Sequence, residues 1–241
     1  MRDRGRRAVV LVLTGYNLVQ NLWLPQAAYV PANLAATGGL LALARRYSCS
    51  WGDLGLQPAR IWPGIRWGTA GAVAAVTAAT LGSALSPTRP YFLDERAFGH
   101  QRRQQAYRAA IRFPLGTALF EEVAFRGVVY AMWRRSGTTP RRALGAAAIA
   151  FGLWHLLPAR RALAGNPLGS AVASRRATTG VVLAGSLLTT LSSFGLSWLK
   201  DRSGSLVAPW LTHAAVNSAG YLAGVAAWER SRRAVPTPPS G

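Results

Sequence analysis

Glu121 and Glu122 stand side by side in "ALFEEVAFRG", residues 118–127, within a stretch otherwise fit for the interior of a membrane. The chain holds eight acidic residues and three histidines. Two of those histidines also fall in apolar runs: His155 in "AFGLWHLLP" and His213 in "APWLTHAAVNSAG". Ionisable groups inside a membrane are costly and are functional by default. Spacing assigns them to faces. Glu122 and Arg126 are four apart and share a helix face, so an ion pair within the helix is expected. Glu121 is rotated from Glu122 by about 100° and lacks that partner. Phe151 and His155 are four apart, as are His213 and Asn217. Three helices each carry one polar stripe, and those stripes must face one another to escape lipid.

The expected facing set is Glu121, His155, His213 and Asn217: one potential base, two imidazoles and one amide. Hydrolysis of an amide needs an activated water and donors for the oxyanion. Glu121 suits the general base, and His155 could help hold the water. His213 and Asn217 could donate to the developing oxyanion. The same Glu121, His155 and His213 could instead bind a divalent metal such as zinc that activates the water. The residue types leave both open. Glu122 with Arg126 reads as structural support, and Phe151 as packing that orients His155.

The elements that must position these groups are long helices. A span of the hydrocarbon core needs about 20 mostly apolar residues. Seven stretches qualify, near 8–24, 27–44, 68–86, 110–133, 143–157, 178–199 and 205–228. They fill the chain, so the expectation is an all-α, polytopic membrane protein of about seven helices around a polar cavity. Residues 1–104 hold the N-terminal spans and connectors, 105–228 the core with the polar groups, and 229–241 a basic, Pro-rich tail expected to be disordered. Asn17, Gln20 and Asn21 in the first span are expected to bond to neighbouring helices. The Ala, Gly and Thr of 69–81 favour close helix packing. The segment 87–105 reads as a charged loop with a surface helix, and 158–176 as a basic loop.

Composition narrows the function classes. The chain has 241 residues, is 50% hydrophobic and carries a net charge of +20. Its mean hydropathy is only +0.15, because charges cluster between apolar runs. The arginine pairs (Arg45/Arg46, Arg134/Arg135, Arg141/Arg142, Arg160/Arg161 and Arg175/Arg176) flank spans, where they meet lipid headgroups. Trp23, Trp67, Trp133, Trp198 and Trp228 lie near span ends as an aromatic belt would. The bilayer therefore accounts for the charge, and nucleic acid is rejected as a partner. Basic residues fall almost equally on both sides of the spans, so charge bias does not choose an orientation. The single cysteine, Cys49, allows no intramolecular disulfide and reads as inert. No cleavable signal peptide is evident at the start. Lys200 is the only lysine, and Ala and Gly are abundant, which fits a high-GC bacterial genome and a bacterial plasma membrane. A proton-relaying transporter would need a polar path across the whole membrane, whereas these polar groups cluster in one region.

"EEVAFR" (121–126), "FGLWH" (151–155) and "HAAVN" (213–217) also spell a family pattern, EExxxR, FxxxH and HxxxN, in order and each on its own span. The chain resembles the CPBP family of intramembrane proteases, named for CAAX prenyl proteases and bacteriocin-processing proteins and also called the Abi family. The resemblance covers about residues 105–225. It implies an eight-helix-like membrane fold with a polar cavity, and endopeptidase activity on a membrane-associated or lipidated peptide. It also implies Glu121 as the base, His155 beside the water, and His213 with Asn217 at the oxyanion. A glutamate-activated water without metal is the expected chemistry, and zinc at Glu121, His155 and His213 is the alternative. A prenylated CAAX substrate is not assigned. The rival of a different class is a non-catalytic scaffold or immunity protein of the same fold.

Overall fold

Helices form where the apolar runs demand them, because a backbone in lipid must satisfy its own hydrogen bonds. The computed structural model describes residues 2–93, 99–164 and 174–233. Among these no strand occurs. The long helices are α1 (Arg2–Leu22), α2 (Tyr29–Arg46), α3 (Ile61–Ala84), α4 (102–135), α5 (Pro140–Trp154), α7 (Arg175–Ser203) and α8 (Val207–Arg233); a short α6 (Leu156–Ala164) follows α5. Each expected span thus falls on a long helix. Among the described residues, three segments are long and apolar enough to cross a membrane by length and composition: Gln26–Arg46, Pro140–Arg161 and Arg175–Ser203. The all-helical class is as expected, and three of the seven expected spans meet that measure. Small residues dilute α3, and the charges of the site and its surroundings dilute α4.

Local chemistry sets several boundaries. Pro140 opens α5 behind the N-cap Thr139, whose hydroxyl accepts from the Arg142 amide. Ser174 caps α7 in the same way, and Gly204 ends that helix in the left-handed region at φ 68°. α3 begins at Ile61, well before the expected residue 68, because the turn at Pro58–Arg60 launches it. α5 ends at Trp154 rather than 157, leaving His155 at its C-cap. The loop expected at 158–176 is helical up to Ala164, and residues 165–173 lie outside the described ones. In the expected surface segment, Arg89–Phe92 form a 3₁₀ turn and α4 begins at Arg102. α8 continues to Arg233, with Arg230 Nη1 donating to the Ser83 carbonyl at 3.1 Å, and the rest of the expected tail, residues 234–241, lies outside the described residues.

α4 is the central helix. Residues 120–129 are buried on every side, as a helix enclosed by others must be. Val9, Leu13, Leu40, Ala44, Phe120, Phe125, Phe151 and Trp154 belong to one core cluster, so α1, α2, α4 and α5 share it. The outer helices present large apolar side chains outward, among them Leu183, Leu187, Leu188 and Leu191 on α7. A contiguous apolar exterior of that kind suits contact with lipid. α4 is not a uniform α-helix. Arg108–Ala118 and Glu122–Val129 are π-helical, and Leu119–Glu121 between them is α-helical. Pro114 lies in the first wide segment, where its missing N–H disrupts the ordinary ladder. Glu121 and Glu122 therefore sit at a change of helical register.

Close helix approaches depend on missing side chains. A Cβ at Gly68 of α3 would meet Leu211 Cβ of α8 at 2.9 Å. One at Gly152 of α5 would meet the Ser186 carbonyl of α7 at 2.9 Å and crowd the Thr190 hydroxyl. The first approach seats the helix that carries His213, and the second seats the turn that carries Phe151, Trp154 and His155.

Candidate active site

Neighbouring positions on a helix turn the two adjacent carboxylates to different environments. Glu122 points into the protein and is 0% exposed. Its Oε1 accepts from Arg126 Nη1 at 3.1 Å, the ion pair expected from the spacing. The same oxygen lies 2.8 Å from His213 Nδ1. A carboxylate can only accept, so His213 carries its proton on Nδ1 and turns Nε2 the other way. Arg126 also rests over the Phe151 ring, 4.0 Å from its centroid.

Glu121 points to a cavity of about 1210 Å³ whose lining includes Trp154, His155, His213 and Asn217. Glu121 itself is 4% exposed. Its Oε1 accepts from Trp154 Nε1 at 3.1 Å. Its Oε2 is buried and has no hydrogen-bond partner among the described residues. Two imidazole nitrogens approach that oxygen, His155 Nε2 at 3.7 Å and His213 Nε2 at 3.6 Å. Both distances are too long for direct hydrogen bonds. His155 Nδ1 lies 2.7 Å from the Phe151 carbonyl, which can only accept, so His155 also carries its proton on Nδ1. The Phe151 ring stands 4.5 Å from the His155 ring and 5.9 Å from that of His213.

The expected constellation is thus brought together. Glu121, His155 and His213 converge on one point, and Asn217 lies on the same cavity wall. Glu122 and Arg126 form the support behind His213. Phe151 touches more than expected, contacting both histidines and Arg126. His100 lies apart, with Nδ1 3.2 Å from the Tyr221 hydroxyl.

Oε2 of Glu121 and the two Nε2 atoms are all acceptors facing one small space. A group with two protons to donate, or a cation, satisfies such a set. Two histidines and a glutamate are donors of the kind a catalytic zinc takes, and both Nδ1 atoms are held by outer partners as in many metal sites. Among the described residues, however, no three His, Cys, Asp or Glu side chains are arranged to hold a metal ion.

Three contributors have no motif of their own. Trp154 holds Glu121, and a Trp before His155 reads in sequence as one more apolar residue. Asn17 donates from Nδ2 to the Trp154 carbonyl at 3.0 Å; a polar residue in an apolar helix was the signal for an interhelical bond, but not for its partner. Of the residues paired with it in that expectation, Asn21 bonds back to Asn17 O within α1, and Gln20 Oε1 has no partner among the described residues. Lys200 donates from Nζ to the Arg126 carbonyl at 2.7 Å and lies 4.5 Å from the Tyr130 ring centroid. Its signal was being the only lysine in the chain.

Residues 103–219 match the family model described as Rce1-like: Type II CAAX prenyl endopeptidase Rce1-like. No curated protein and no solved structure gives a match. The matched residues run from the start of α4 into α8 and contain Glu121, Glu122, Arg126, Phe151, His155, His213 and Asn217. This is the family that the three motifs resemble, and the match covers residues 103–219, just under half of the chain.

Proposed function

We propose that the protein is an intramembrane endopeptidase that hydrolyses a peptide bond of a membrane-associated or lipidated substrate with a water activated by Glu121. The observation that carries this reading is the buried Oε2 of Glu121, unpartnered and flanked by two imidazole Nε2 atoms at a cavity wall. A water there donates one proton toward Oε2 and the other toward His155 Nε2, which leaves a lone pair for the substrate carbonyl carbon. As the C–O bond forms, the water O–H bond breaks and Oε2 takes the proton. The Asn217 amide donates to the oxyanion. His213 joins it only when Nε2 also carries a proton, since its Nδ1 is committed to Glu122. When the C–N bond breaks, Oε2 returns its proton to the leaving amine. We place this activity in a bacterial plasma membrane, with the bilayer and a peptide or protein substrate as partners.

A zinc-dependent version is the alternative, favoured by the donor chemistry of Glu121, His155 and His213. Those residues would hold the ion, and it would supply Lewis acidity to the same reaction. The experiment compares wild type with Glu121→Gln in detergent or membranes, on a panel of lipidated and membrane-anchored peptides, with and without chelator. Cleavage by wild type that survives chelator and is lost in Glu121→Gln is the expected result. Loss with chelator and recovery with zinc would move the three residues to ligand roles. Wild type that cuts no peptide on the panel, with biological function retained by Glu121→Gln, would replace the protease with a non-catalytic scaffold.

A further inference from the structure

Trp154 fills an unspecified position of the FxxxH motif, yet it makes the hydrogen bond that holds Glu121. An indole N–H can donate but cannot accept. Oε1 of Glu121 accepts that bond, and because a carbonyl-type oxygen accepts better than a hydroxyl oxygen, a proton taken up by this carboxyl is favoured on Oε2. Oε2 is the oxygen that faces both imidazoles. Trp154 in turn is fixed from outside the family-matched segment. Asn17 of α1 donates to its backbone carbonyl at 3.0 Å. That carbonyl lies at the end of α5, where the helix breaks before His155. Tyr16, the neighbour of Asn17, stacks on the Trp154 ring at 6.4 Å between centroids and meets Phe120 at 5.3 Å. Phe120 and Phe125 close the other sides of the indole at 5.3 and 5.8 Å.

We infer that Trp154 is a positioning residue for the general base, and that α1 takes part in the reaction through Asn17, which holds Trp154 in place. The inference rests on the proteolytic reading for the role of Glu121. In that reading the water O–H bond breaks and the new O–H bond forms at Oε2. The same atom later hands the proton to the leaving amine. Without the indole N–H, the carboxyl can rotate and the proton can settle on Oε1, away from the water and the leaving group.

The test uses the full-length protein and the panel peptide that wild type cleaves fastest. Trp154→Phe removes the N–H and keeps a ring. We expect kcat to fall roughly tenfold to a hundredfold, the size of one lost hydrogen bond to a charged group, with KM within about twofold. Benzothienylalanine at position 154 replaces the N–H by sulfur with little change of shape, and the same loss is expected from it even where the phenylalanine variant folds poorly. Asn17→Leu should lower kcat in wild type and add nothing in the Trp154→Phe background. A rise in KM with kcat unchanged would reduce Trp154 to a cavity wall. Equal effects of Asn17→Leu in both backgrounds would cut α1 out of the chain of contacts. A readout free of turnover separates this inference from the protease reading. In ¹⁵N-indole spectra, the Trp154 signal, assigned by its absence in Trp154→Phe, should shift in Glu121→Gln and in Asn17→Leu. A signal unmoved by Glu121→Gln overturns the inference whether or not the protein cleaves peptides.

Discussion

At the scale of single residues, the two neighbouring glutamates divide labour because their partners differ. Glu121 keeps one oxygen unpartnered beside a cavity, while Glu122 is enclosed with Arg126 and His213. Replacing Glu121 by Gln keeps the shape and removes the proposed base, so cleavage should fall at least about a hundredfold with little change in thermal midpoint. Steady-state rates and a melting curve in detergent check both parts. Arg126→Met should behave in the opposite way. It leaves Glu122 buried and without its cation, which costs on the order of 3–5 kcal/mol, read as a large drop in unfolding midpoint. The spacing of Glu122 and Arg126 made their pairing legible in sequence. The bond from Glu122 to His213 was not legible, since it joins residues 91 positions apart.

At the scale of elements, the site depends on how closely α5 approaches α7. Ser186 Oγ donates to the Gly152 carbonyl at 2.7 Å, and a Cβ at Gly152 has no room. Gly152→Ala should therefore cost roughly 1–3 kcal/mol by overpacking. It should also lower activity beyond the stability loss, because the strain falls between Phe151 and Trp154. Activity measured well below the melting midpoint distinguishes the two effects, and an unchanged kcat would mean that α5 shifts without disturbing His155. Apolar run length predicted the existence of these helices. It did not predict the break at Trp154 or the π-helical segments of α4, which answer to packing and to Pro114 rather than to an apolar pattern.

At the scale of the whole molecule, the described residues form seven long helices, three of them in segments apolar enough to cross a membrane, an odd number on either count; α6, at nine residues, is about 13 Å long and too short to cross. The two ends of the chain should then lie on opposite faces of the membrane, which reporter fusions at each terminus would read; the same side for both would remove one crossing. Cys49 gives a second check on global packing. It lies in the connector between α2 and α3, is 0% exposed, and burial pushes its thiol above the usual range, with Arg135 nearby opposing the shift. The folded protein should react slowly with maleimide at neutral pH, and unfolding should make the reaction fast.

The sequence by itself determined the helical class, the ion pair of Glu122 with Arg126 and the identities of the residues that meet at the cavity. Apolar run length and four-residue spacing are local properties, and polar groups in lipid have few ways to be satisfied. Only the tertiary structure decided which oxygen of Glu121 stays unpartnered, which nitrogen of each histidine faces it, and that Asn17 of the first helix reaches the carbonyl of Trp154. Those are orientations across helices far apart in sequence. They follow from where a kink, a change of helical register and a missing Cβ let the helices come to rest.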